Sequence, residues 1–134
     1  MPTPSPAERD ALLNAFSKAL FKRDVEAIYR TVTPDFIWRL PIGPDAPVGR
    51  EIASPEQLAA YFDERDRLYD GMRFNDVVYH HAPDATFMTF RVVAARKDGG
   101  APIDALGMER YLFRDGRIAL KDAYWKRIAV EQVA

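Results

Sequence analysis

Residues 111–127, YLFRDGRIALKDAYWKR, decide the fold. Two runs of aromatic and aliphatic residues flank Asp115-Gly116, a dipeptide that accepts the positive φ angles of a tight hairpin. Reading outward, the first of these runs spans Ile103–Arg114, and two more extended runs precede it, Met72–His81 and Ala85–Arg96. They are separated by Ala82-Pro83-Asp84 and by Lys97-Asp98-Gly99-Gly100, both turn-forming. The closing run extends from Arg117 to Ala129. The second half is therefore expected to be an antiparallel meander.

The first half reads as helix. From Ala7 to Arg23, Leu12, Leu13, Phe16, Ala19 and Leu20 recur at helical spacing. Ser5-Pro6 with Glu8 suits a capping box. Asp24 caps a second, short helix, which Thr33-Pro34-Asp35 ends. A strand over Phe36–Leu40 follows, then a loop, Pro41–Gly49. Ser54-Pro55-Glu56-Gln57 opens a third helix buried through Leu58, Tyr61, Phe62, Leu68 and Tyr69, with the charged run at 63–67 expected to face water. Three helices, an early strand and a meander predict an α+β fold, with the helices on the concave face of a curved, mainly antiparallel sheet.

Composition bounds the rest. The chain has 134 residues, 48% of them apolar, which suits one packed domain. It is read as a proline-rich lead-in over 1–6 and a domain over 7–130. A net charge of −1 gives no reason to expect a nucleic-acid or membrane partner. Without cysteine and with only His80 and His81, neither disulfides nor a thiolate or histidine-rich metal site is expected. No cofactor is expected, and the expected location is cytoplasmic.

The stretch FSKALFKRDVEAIYRTVTPDFIWRLP (16–41), with 111–127, resembles the nuclear transport factor two-like superfamily, which includes ketosteroid isomerase and the SnoaL-type cyclases. The resemblance covers about 7–130 and implies a cone-shaped fold, a hydrophobic pocket and a dimer. In ketosteroid isomerase a carboxylate base works with a tyrosine and a protonated acid. By that resemblance the tyrosine falls at Phe16 and the base at Leu40, and only the second acid has a counterpart, Glu109. The acid of the epoxide hydrolase type falls at Ala123.

Two hairpin registers are open. A two-residue turn sets Glu109 opposite Asp122, and a bulged turn sets it opposite Lys121; charge pairing favours the second. Glu109 then shares a concave face with Tyr111, Phe113, Lys121, Ala123 and Trp125, beside space left by Gly107. A carboxylate there is poorly solvated and is expected to hold its proton more tightly. The competing reading is a structural ion pair with Lys121. Glu109, His80 and Tyr111 are the catalytic candidates. Trp38, Leu40, Tyr61, Phe90, Lys121 and Trp125 are the ligand-binding ones, although aromatics at strand spacing are also ordinary core. Asp76 is placed on one face with Phe74, Val78 and His80, as a further acid or a solvated edge residue. Leu112, Ile118, Leu120 and Tyr124 are expected to form an apolar convex face that pairs two copies.

The expected function is cofactor-independent acid–base isomerisation, cyclisation or (de)hydration of a hydrophobic carbonyl compound. The alternative is a non-catalytic dimeric ligand-binding or accessory domain.

Overall fold

The computed structural model describes residues 3–127. The expected ends of the last strand at Ala129 and of the domain at 130 lie outside these residues, as do Met1 and Pro2 of the lead-in. Helices α1 (Pro6–Phe21) and α2 (Val25–Thr31) lead into β1 (Val32–Arg39) and the short β2 (Glu51–Ile52). Helix α3 (Pro55–Leu68) follows, then β3 (Tyr69–His81), β4 (Thr86–Arg96), β5 (Ile103–Arg114) and β6 (Arg117–Lys126). The six strands form one sheet in the order β2-β1-β6-β5-β4-β3. All neighbours are antiparallel except β1 and β6, so the sheet is mixed.

The caps are where the sequence puts them. Ser5 accepts from the Glu8 amide and Glu8 reaches back to the Ser5 amide. Asp24 accepts from Ala27 N–H, and Ser54 from Gln57 N–H. The Gln57 side chain instead bonds Ala53, one residue before the cap. Three details differ from expectation. Thr33-Pro34-Asp35 lies inside β1, where the β1–β6 register shifts between Val32 and Ile37 around a residue that cannot donate. Tyr69 starts β3 opposite Arg96 rather than continuing α3. Pro4 of the lead-in is buried, and its carbonyl accepts from Arg9 Nε.

Both hairpin registers are corrected. Asp115 and Gly116 each have positive φ, and Arg114 pairs with Arg117, so the turn has two residues. One extra residue then enters β6: Leu112 pairs with Leu120, but Phe113 with Ile118, leaving Ala119 in a bulge. Glu109 therefore stands opposite Ala123, and the opposite charges that pair directly are Arg110 and Asp122. The bulge also turns Ile118 into the core, where it is fully buried, so it does not belong to the convex patch. The core lies between the helices and the concave face, built around Leu13, Phe16, Ile28, Phe36, Leu58 and Val92.

Candidate functional site

Glu109, Tyr111 and Lys121 converge on the concave face. Alternation along β5 puts Glu109 and Tyr111 on the same side, and Lys121 of β6 is directly opposite Tyr111. Lys121 Nζ lies 3.1 Å from Glu109 Oε2, and the Tyr111 hydroxyl donates to Glu109 Oε1 at 3.3 Å. Glu109 is only 2% exposed and Lys121 3%. The Lys121 ammonium also sits 4.1 Å from the centre of the Trp38 ring, which faces it from β1. Such a desolvated cation–π contact contributes on the order of 2 kcal/mol.

The surroundings shift the two proton donors in opposite senses. Burial disfavours the charged ammonium and lowers the Lys121 pKa, with the Glu109 carboxylate opposing that shift. Burial, reinforced by the Glu109 charge, holds the Tyr111 phenol far above its ordinary value. Tyr111 is therefore a neutral donor at any physiological pH.

This trio lines a cavity of about 480 Å³ between α1, α3 and the sheet. Its walls include Leu20, Met72, Phe74, Tyr79 and Met88. A second cavity of about 290 Å³ lies on the other side of Arg65 and Met72, lined by Leu40, Tyr61, Tyr69, Ile103 and Trp125 among others. Arg65 and Met72 border both. A wider, more open groove of about 900 Å³ lies outside, where the 41–49 loop overhangs the ends of β5 and β6.

The expected site residues divide accordingly. Glu109, Tyr111 and Lys121 line the larger cavity, and Leu40, Tyr61 and Trp125 the smaller. Trp38 and Phe90 line neither. Trp38 supports Lys121, and the Phe90 ring packs on Phe74 and Trp125. The space expected beside Gly107 is filled by Phe90: a Cβ on Gly107 would come within 2.3 Å of its ring. Phe16 packs edge-on against Tyr111.

His80 is not brought to the site. Asp76 has positive φ, and the β3–β4 register shifts between Asn75 and Val78. This bulge leaves Phe74 facing the core but turns Val78 and His80 to the convex side, against the expected common face. His80 is exposed and its Nε2 bonds Thr89. His81 occupies the rim, between Thr86 and Asp10. Arg91 is exposed and makes a bidentate pair with Asp104.

Arg65 was missed within the charged run at 63–67. It is only 7% exposed, because it continues the buried stripe of α3 seven residues after Leu58 and three after Phe62. That spacing was the available signal, and its charge masked it. Among the described residues no group of three or more His, Asp or Glu side chains is placed to hold a metal. Among the described residues no helix is long and apolar enough to cross a membrane.

A model of the SnoaL-like domain matches residues 13–121. No curated protein matches the chain. Among solved structures, it is similar to an NTF2-like protein from Burkholderia xenovorans, with a TM-score of 0.75 and 13% identity over 91% of this chain and 92% of that one. TerC, co-crystallised with polyporic acid, gives a TM-score of 0.71 and 15% identity over 89% and 92%. A candidate polyketide cyclase from Pseudomonas putida gives 0.65 and 19% over 86% and 89%. At these identities the likeness establishes the fold and leaves the chemistry to the site.

Proposed function

The chain belongs to the SnoaL-like domain family, and from that premise we propose that it is a small-molecule enzyme using cofactor-independent acid–base chemistry on a hydrophobic carbonyl compound. The observation that carries this reading is the trio at the cavity wall. A carboxylate within bonding distance of a phenol and an ammonium, all three nearly buried, faces a space large enough for a bicyclic ligand.

Glu109 takes a proton from the carbon next to the substrate carbonyl. The electron pair left on that carbon moves onto the carbonyl oxygen, forming an enolate. Glu109 is now neutral, so the Lys121 ammonium loses its anionic partner and turns a hydrogen bond to the enolate oxygen. Charge stabilisation thus appears at the moment charge develops. Tyr111 holds the carboxyl group in place. Returning the proton to a different carbon completes an isomerisation. Attack of the enolate carbon on a second carbonyl closes a ring, the new alkoxide taking the proton from Glu109, and expulsion of a β-hydroxyl as water, with that same proton, completes a dehydration. Met72, Phe74 and Met88 supply apolar walls.

The test is exchange of the α-protons of 2-tetralone in D2O, followed by NMR. The wild-type protein should accelerate exchange over buffer, and Glu109→Gln should lose that acceleration by about a hundredfold or more, as removal of a general base does. Equal rates for the two proteins, or no acceleration by either, would remove Glu109 from the mechanism.

One observation favours the second reading, a non-catalytic ligand-binding domain: Lys121 already neutralises Glu109. In that case 2-tetralone binds without exchange.

The convex face supports pairing of two copies. Leu106, Met108, Tyr124 and Val78 are exposed there, Leu106 by 62%. Leu106→Glu should then shift the protein from dimer to monomer in light scattering. The absence of cysteine is in keeping with a cytoplasmic setting.

A further inference from the structure

We propose that Arg65 is an anion-binding residue and that the ligand of this cavity is a carboxylate on a flat, largely apolar skeleton. Arg65 is a buried cation without a counter-charge. Its Nε is enclosed and has no hydrogen-bond partner. Among the described residues no carboxylate forms a salt bridge with it, whereas Arg23, Arg39, Arg50, Arg91, Arg96 and Arg110 each have one. Its close neighbours are aromatic: the guanidinium lies 5.7 Å from the Tyr61 ring centre and 5.8 Å from that of Phe62. Those contacts orient the group without neutralising it. A charge taken out of water and left unpaired is costly, so a fold that keeps one gains something from its partner when bound.

The cavities point to the same partner. Although the whole chain carries −1, the two cavity linings contain Arg23, Arg50, Arg65, Arg73, Lys121 and Arg127. Against these six cations the linings set only Glu64 and Glu109, while Arg23 is paired with Asp66 just outside them. Glu64 is held by Arg50 and Glu109 by Lys121. The excess is positive, and Arg65 is its most buried unpaired member, at the border of both spaces. A planar guanidinium matches a carboxylate with two parallel hydrogen bonds. The remaining walls, from Met72 and Phe74 on one side to Tyr61 and Trp125 on the other, fit a flat ring system. An acid anchored at Arg65 extends its skeleton towards Glu109 and Lys121 in the same cavity.

This inference names the substrate class for the reading above, but its test measures affinity and needs no turnover. Failure of the 2-tetralone experiment therefore leaves it standing, and the converse also holds. Binding of 2-naphthoate and of uncharged 2-naphthamide is measured by titration calorimetry on the full chain. Wild type should bind the carboxylate at least tenfold more tightly than the amide. Arg65→Gln should abolish that preference, Arg65→Lys should retain part of it, and Arg67→Gln, on the exposed side of α3, should leave it unchanged. Arg65→Gln should also raise Tm, since it removes an uncompensated buried charge. Equal affinity of wild type for the two probes, no binding of either, or a preference that survives Arg65→Gln would overturn the proposal.

Discussion

Replacing Lys121 by Met leaves the Glu109 carboxylate enclosed with only the Tyr111 hydroxyl beside it. Both partners of the pair have side chains no more than 4% exposed, so the screening that weakens surface ion pairs does not apply here. Breaking a buried pair from one side costs about 3–5 kcal/mol, whereas replacing both partners by apolar residues is often neutral or stabilising. Loss of the Lys121–Trp38 contact adds to the first figure, and water entering the cavity beside Glu109 subtracts from it. We therefore expect Lys121→Met to cost about 3–4 kcal/mol, a large part of the ~5–15 kcal/mol typical of a domain. With a urea m-value of about 2 kcal/mol/M, the midpoint falls by roughly 1.5–2 M. The double variant Glu109→Leu/Lys121→Met should recover most of that loss. The assay is urea unfolding followed by circular dichroism, with m checked for constancy across the cycle. A single variant within about 0.5 kcal/mol of wild type, a shift no larger than typical surface substitutions produce, would refute a buried, mutually dependent pair.

Three further outcomes are expected. Above pH 10, unfolded tyrosines ionise while Tyr111 and Tyr61, their pKa values raised by burial, stay neutral, so stability falls as pH rises from 10.0 through the folded values. Lys121 acts in the opposite sense: its lowered folded pKa makes stability rise on approach to 10.5, where its effect is complete. Tyr111→Phe should make the decline above 10.5 shallower, read by urea midpoints at a series of pH values. Gly107→Ala should cost about 1–3 kcal/mol by overpacking against Phe90, and Phe90→Leu should recover part of it in thermal melts. Arg9→Met should cost about 2–4 kcal/mol and expose the 82–85 turn to proteolysis, because the guanidinium bonds the carbonyls of Pro4, Ala82, Pro83 and Ala85 and the Thr86 hydroxyl.

Local signals carried well from sequence to structure. Asp115-Gly116, the capping serines and Asp24 act over a few residues, where steric and hydrogen-bond rules are strong. What was lost depended on single-residue irregularities. A strand's facing has period two, so the bulge at Ala119 moved Ile118 into the core, and the bulge at Asp76 turned His80 out. Neither carries a glycine or proline at its extra residue that would have marked it. Arg65 was read as solvated because charge was weighed before helical spacing, yet it lies on a buried face, as does Arg9 of α1. Glu109, Tyr111 and Lys121 were legible because they lie on one side of the bulge, where the alternation is unbroken. Phe90 and Trp38 were correctly placed inside but share no wall with either cavity, a distinction that only tertiary packing makes.

Whether a ligand's oxygen meets Glu109 and Lys121 inside the larger cavity can be seen in a crystal structure with 2-naphthol, a stable mimic of an enol. The naphthol oxygen should lie within about 3 Å of Glu109 or Lys121, with its rings against Phe74 and Met88. Naphthol lodged only in the outer groove under the 41–49 loop, with the Glu109–Lys121 pair untouched, would contradict the proposed mechanism.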